Sequence, residues 1–408
     1  MYAGFSQKSI CPEKQVYLAG FDLRKEPCVG VLDAINVSAL ALKADESFLF
    51  LSFDLLGVPR DFCERAKAYL GQALALKSEN IWLSATHTHA APRSVFGGRD
   101  GDEEYIEHIL QSARSAAEEA FGSLCPVKVR IGRGDVKDVA SIRDVPRELS
   151  EAGMPVLRLR LEGEGFEAEL IRFACHCTVL SEKNLLISRD LAGAFGDALP
   201  KGNHLFLNGA CGDLSTRYTR KGEGESELKR LGETAARGAQ AIALSEEPGF
   251  GRRIRAAECE IALKRSAALS AEEKQRLIRF HERKLSETKD AAAKRESESI
   301  IAVLRRPERP PESTRRVKLS AADFSACMFL GLPFELNSPD GERMERELSL
   351  LAGKPVCVVC YTGGYESYLP SGKPIGEDSS YQDIASGYAP EDTLLVLESA
   401  KKLIDQLL

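Results

Sequence analysis

The sequence predicts an α/β protein, with a mixed β-sheet core flanked by helices, an active site at strand ends and a charged helical segment inserted at about 269–305. Three observations carry that expectation. Apolar strand-like runs alternate with amphipathic helical stretches, and glycines and chemistry-bearing residues cluster where those runs stop. One long stretch of mixed-sign charge interrupts the pattern. With 408 residues, 43% of them hydrophobic and 28% charged, the chain can bury a large core; length allows one large domain or two to three ordinary ones, and a single domain over 1–408 is expected.

Taken in order, apolar runs predict strands at 35–42 and 48–56, an amphipathic helix at 60–76 and a strand at 81–85. A helix is expected at 103–121, where Ile106, Ile109, Leu110, Ala113, Ala116 and Ala117 fall on one stripe. Strands at 127–131, 156–161, 169–174 and 205–207 follow, with helices at 190–199 and 225–244. Apolar strands resume at 326–330 and 356–360. Between them, 269–304 reads as two solvated helices, opened by Ser270 and Glu273 at capping-box spacing. Leu277, Phe280 and Leu285 make a thin apolar stripe, so this pair is expected to pack on the main body or on a second subunit. The basic, proline-rich run at 305–311 ends it as a solvated linker.

Composition narrows the function. A net charge of −6 argues against nucleic acid, which needs a concentrated basic face. No apolar run approaches the ~18 to 20 residues of a spanning helix, and the start, from Met1 to Lys8, lacks a signal-peptide pattern. A cytoplasmic location is therefore expected. The eleven cysteines, odd in number and irregularly spaced, then read as reduced thiols. Cys357 and Cys360 form a Cys-x-x-Cys pair inside an apolar run, where an odd spacing puts the sulfurs on opposite strand faces, against a redox or zinc pair.

Five patches could carry chemistry. His87 and His89 hold two of the six histidines where an apolar strand gives way to a loop. Positions two apart on a strand face the same way, roughly 6.6 Å apart, so both imidazoles can serve one pocket. Taken alone, a pair held by ordinary hydrogen bonds is the plainer reading. His176 ends another strand between Cys175 and Cys177, whose thiols alternation sends to the other face, so a metal site here is histidine- and oxygen-based. The run from Asn208 to Ser215 is a glycine-punctuated turn ending in a hydroxyl. Glu335 stands just beyond an apolar strand, and Tyr361, Tyr365 and Tyr368 follow the last one beside Gly363 and Gly364.

In this order the patches resemble the neutral/alkaline, non-lysosomal ceramidase family, which hydrolyses the amide bond of N-acylsphingosines with a zinc ion. The resemblance runs from the Ala19-Gly20-Phe21 region to Tyr381. It implies that His87, in Thr86-His87-Thr88-His89, is a zinc ligand and that His89 meets the substrate. His176, in a Phe-Ala-x-His-x-Thr context, and Glu335 correspond to further ligands, and Tyr368 to the ligand among two tyrosines, of which Tyr381 is the other. Arg143, in Ser141-Ile142-Arg143-Asp144, and Ser215, in a Gly-Asp-x-Ser context, complete the catalytic set with His89 and Tyr381. Departures fall beside the site. Ala90-Ala91-Pro92 replaces Ser-Gly-Pro, Phe334 replaces the glycine before Glu335, and Thr216 and Arg217 stand where the family has Pro and Asn. The chain is shorter than the secreted ceramidases, with no match to their signal peptide or C-terminal immunoglobulin-like domain, and the charged stretch has no counterpart.

The expected function is a zinc-dependent hydrolase that cleaves the amide bond of a ceramide-like or other small-molecule or lipid-like N-acyl substrate with metal-activated water. Two alternatives stand beside it: a zinc hydrolase of a different soluble amide or ester, and a non-catalytic ligand-binding member. Ser215 is open between nucleophile and positioning residue. Asp54 and Asp190 are candidates to hold the outer nitrogen of a zinc histidine, a structural role being the simpler account. A homo-oligomer is left open.

Overall fold

The structure, a computed structural model, describes residues 1–96, 102–143, 145, 153–200, 202–264, 269–306 and 314–408. Most of the expected linker at 305–311 lies outside the described residues. Three mixed sheets share one construction, in which antiparallel strands are followed by one final parallel neighbour. In the first, β1 (Tyr2–Ser9), β2 (Asn36–Lys43) and β3 (Ser47–Phe53) pair antiparallel in turn, and β4 (Ile81–Ala85) runs parallel to β3. In the second, β5 (Lys128–Val136), β6 (Met154–Gly163) and β7 (Phe166–Phe173) do the same, with β8 (Asn203–Asn208) parallel to β7. The third repeats the plan with β9 (Arg255–Lys264), β10 (Thr314–Asp323), β11 (Met328–Gly331) and, parallel to β11, β12 (Val356–Val359).

Parallel neighbours need a crossover, and helices supply it. α1 (Arg60–Leu74) carries β3 to β4, and α2 (Asp190–Ala198) carries β7 to β8. α3 (Ala271–Glu287) and α4 (Ala291–Leu304) form the charged insertion between β9 and β10. α5 (Ser338–Ala352) carries β11 to β12, and the short α6 (Tyr381–Ala385) follows. Each crossover helix buries an apolar stripe: Phe62, Cys63, Ala66 and Leu70 on α1, Leu191, Ala192 and Phe195 on α2, Met344 and Leu348 on α5. The expected capping box at α3 is present, with Ser270 and Glu273 each satisfying the other's backbone N–H. No described helix is long and apolar enough to cross a membrane.

One apolar cluster draws on all three sheets: Phe48, Phe50 and Trp82 from the first, Leu157, Leu170 and Leu205 from the second, Phe329 and Val359 from the third. Edge-to-face contacts such as Phe48 on Phe324 (5.2 Å) and Phe50 on Phe329 (5.9 Å) hold the first and third sheets face to face. Cys357 lies in this cluster and Cys360 in another, as their odd spacing implies. The charged insertion has its own small core of Leu277, Ile278, Ile300 and Leu304, closed by Ile384 of α6. It therefore packs on the main body.

One expectation needs correction, and three strands had no expectation at all. The strand expected at 48–56 stops at Phe53, because Asp54 turns back to donate its N–H to the Asn36 carbonyl. The strands β1, β9 and β10 do not stand out as apolar runs. Their exposed positions are polar or charged, as with Glu260 facing Lys318 across β9 and β10.

Candidate metal centre

The three parallel pairs deliver their carboxyl ends to one place, the side on which open α/β sheets bind ligands. β4 leads into His87 and His89, β7 into His176, β11 into Glu335, and β12 into Tyr361, Tyr365 and Tyr368. Main-chain and side-chain bonds stitch these ends together. Asn208, at the end of β8, donates from Nδ2 to the carbonyls of Thr86 (3.2 Å) and Cys175 (3.1 Å) and accepts the Cys175 N–H (3.3 Å). Ser84 and Thr362 share a 2.7 Å hydroxyl contact, and Glu335 donates its N–H to the Ser367 carbonyl (2.9 Å).

The two N-terminal histidines share a pocket, but not by strand alternation. β4 ends at Ala85, and His87 adopts a left-handed backbone with φ of 65°. That conformation is unfavourable for a non-glycine residue and turns the ring inward. Its cost is met by the His87 N–H bond to the Leu55 carbonyl (3.0 Å) and by stacking of Tyr361 on the ring (4.1 Å between centroids).

Around a common centre, His87 Nε2 lies 3.2 Å from His176 Nε2, 3.2 Å from His89 Nε2 and 3.3 Å from Glu335 Oε2. His176 Nε2 is 3.2 Å from the same carboxylate oxygen and 3.4 Å from the Tyr368 hydroxyl. Both outer nitrogens are held: His87 Nδ1 by the Leu56 carbonyl and His176 Nδ1 by the Cys211 carbonyl, each at 2.7 Å. A ring that donates Nδ1–H to a carbonyl and stays neutral presents a lone pair at Nε2. Burial lowers the pKa of His176 to about 4, which keeps it neutral; burial and the neighbouring imidazoles hold His89 far below its ordinary value.

Two lone pairs thus meet a carboxylate oxygen that has no hydrogen-bond donor among the described residues. Such a cluster is repulsive unless a cation sits between its members. Tetrahedral bonds of about 2.0–2.1 Å to nitrogen and oxygen separate ligand atoms by about 3.3 Å, close to the spacing seen. The residues present therefore fit a zinc-sized ion. His87, His89 and His176 are mutually placed to hold a metal.

The remaining residues fall into place around this core. Tyr365, expected only as pocket wall, donates to Glu335 Oε1 (2.6 Å) and so fixes the carboxylate. Arg143 donates to the Gly212 carbonyl (2.6 Å) and to the Tyr368 hydroxyl (3.1 Å), and its guanidinium lies 5.7 and 5.4 Å from the ring centroids of Tyr368 and Tyr381. Ser215 accepts the Arg217 N–H (3.1 Å), and among the described residues no histidine hydrogen-bonds to it. Gly20, with φ of 97°, lies so close to His89 that a Cβ there would sit 2.4 Å from the ring. His89 Nδ1 is buried and has no hydrogen-bond partner among the described residues.

The aspartate candidates do not hold the histidines. Carbonyls take that place, while Asp54 accepts the Asn36 N–H and Asp190 accepts those of Val179, Leu180 and Leu191. Both are structural carboxylates. The thiols of Cys175 and Cys177 donate to the carbonyls of His176 and Thr86, and burial raises both pKa values well above normal, so they stay protonated.

His89, His176, Arg143, Ser215, Tyr368 and Tyr381 all line one cavity of about 200 Å³, with His87 and Glu335 buried behind it. Its far wall is α4 of the charged insertion, through Arg295, Glu296, Ser299 and Ala302. The fold and this cluster define the class: a three-sheet α/β protein with a candidate metal centre at the carboxyl ends of parallel strands. The particular architecture is that of solved ceramidases. A ceramidase complexed with C2 matches with a TM-score of 0.77 at 16% identity, covering 100% of this chain and 75% of its own. The neutral ceramidase from Pseudomonas aeruginosa matches with a TM-score of 0.76 at 17% identity, covering 100% and 74%. At such identity the likeness is one of fold. No family model and no curated protein sequence matches the chain.

Proposed function

We propose that this chain is a zinc-dependent hydrolase of the neutral ceramidase family, cleaving the amide bond of a ceramide-like or other N-acyl substrate. One observation carries the reading: the donorless Glu335 oxygen set against two imidazole lone pairs at ligand-to-ligand spacing. The shared ceramidase fold supports the hydrolase part. His87, His176, Glu335 and Tyr368 would hold the zinc. Bound there, zinc supplies Lewis acidity toward the scissile carbonyl and a water that ionises near pH 7.

The chain's own residues do the rest. Hydrolysis joins a water oxygen to the carbonyl carbon, breaks the C–N bond and sends one water proton to the leaving nitrogen. His89, kept neutral by burial, accepts that proton and returns it to the nitrogen. Burial raises the Tyr381 phenol, which therefore keeps its proton and can donate to the developing oxyanion. Arg143 orients Tyr368, and Ser215 positions the substrate, since no base is bonded to it. The second reading, a zinc hydrolase of a soluble amide or ester, is favoured by the charged cavity wall on α4.

Metal analysis of the purified protein, paired with turnover of long-chain ceramide and of short N-acyl amides, tests the proposal. One zinc per chain is expected, lost together with activity in His87→Ala and His176→Ala. A protein without tightly bound metal, or variants that keep both metal and full activity, would end it.

A further inference from the structure

The cavity over the metal cluster has walls that carry charge, and most of that charge is paired. Arg217 lies 3.6 Å from Glu296, Arg295 lies 3.9 Å from Glu182, and Asp22 pairs with Arg306. Glu298 is exposed at the rim. Arg220 is different. Its guanidinium makes one hydrogen bond, to the Val179 carbonyl (3.2 Å), and no carboxylate lies within 4.0 Å of it among the described residues. Burial, and next the like charge of Arg295, lower its pKa from the ordinary arginine value, against the opposing pull of Asp190, Glu223 and Glu182 from farther away. Five N–H donors with one in use, on a part-buried cation, make a site that an anion would satisfy bidentately. Arg220 lines the same cavity as His176.

We propose that the substrate is a single-chain N-acyl compound whose amine part carries an anionic group, a carboxylate or a comparable oxyanion, and that Arg220 is the residue that selects it. This rests on the hydrolase reading above. The cavity, at about 200 Å³, is smaller than the ~300 Å³ lower end for drug-sized ligands, and it leaves no room for two long alkyl chains. A second cavity of about 700 Å³ shares the wall of Gly20, Phe21 and Ala302; Tyr17, Leu23 and Phe96 give it apolar surface for one acyl arm, among charged neighbours such as Arg93 and Arg305.

Binding separates this proposal from the reading it rests on. The probes are 4-oxononanoate, the ketone analogue of N-hexanoylglycine that cannot be hydrolysed, and its uncharged N-methylamide, titrated calorimetrically into the metal-loaded full chain. The carboxylate is expected to bind about tenfold tighter or more, as a charge-assisted pair requires. Arg220→Gln should abolish that preference and Arg220→Lys should keep part of it. Equal affinity for the two probes in the wild type overturns the proposal, whether or not either variant folds. Hydrolysis of ceramide without preference for N-hexanoylglycine also overturns it while sparing the hydrolase reading. A carboxylate preference lost in Arg220→Gln, with no amide in the panel hydrolysed, upholds the anion site and sinks the hydrolase reading instead.

Discussion

The division of labour between His87 and His89 rests on their outer nitrogens. His87 Nδ1 is tied to the Leu56 carbonyl, as a ligand's should be, whereas His89 Nδ1 is tied to nothing among the described residues. His89→Ala should therefore retain zinc by elemental analysis and lose about 10²- to 10⁴-fold in kcat. Loss of the metal in that variant would move His89 into the ligand set. Gly20→Ala probes the same ring from behind. Its Cβ would force His89 aside, so kcat should fall with metal content unchanged, and full activity would show that the ring's position is immaterial. A third prediction concerns Asp54, whose pKa burial raises from 3.8 to about 7. A raised carboxyl favours the folded state most below about pH 4, and that contribution is lost as pH rises through about 7. Urea midpoints should thus drop from pH 5 to pH 8, and Asp54→Asn should show the smaller drop; equal drops would refute the assignment.

Strand ends, more than strands, build this site. His87, His176 and Glu335 lie two to four residues past the ends of β4, β7 and β11, and Tyr368 nine past β12; the intervening segments are fixed by cross-links between sheets. Asn208 is the main one, since its single amide satisfies three backbone groups on two other segments. Asn208→Ala should cost about 2–4 kcal/mol in a denaturant titration, because it leaves buried carbonyls and an N–H unpaired. A loss near zero would mean that water replaces the amide. Much at this scale was legible beforehand: the apolar runs of β2, β4, β7 and β12 and the amphipathic stripes of α1 and of helix Glu103–Gly122 announce themselves by period. The polar strands β1, β9 and β10 did not, because a strand with one wet face and many charges has little apolar contrast to read. Nor did the left-handed turn at His87, which no local residue preference signals.

Across the whole molecule, three sheets are joined through one cluster of like-signed lone pairs and a carboxylate. Removing the metal should leave that cluster self-repelling, so chelation should lower the melting temperature and added zinc should restore it. Linkage sets the scale at about 4 kcal/mol when free zinc exceeds Kd by about 1,000-fold. An unchanged melting curve would mean that the cluster holds no ion. The charged insertion also gains its meaning only here: α3 and α4 bury their thin stripe against α6 and place α4 as the cavity wall opposite the histidines. The alternation of strands and helices, the order of the five patches and the charged insertion were readable from the chain alone, because periodicity and residue type are local properties. The folded chain alone shows that Tyr365 anchors Glu335, that carbonyls and not aspartates hold the histidines, that Arg220 has no carboxylate within 4.0 Å among the described residues, and that a charged helix walls the site. The site brings together residues as far apart in the chain as His87 and Glu335, and no local pattern encodes which of many polar groups will meet.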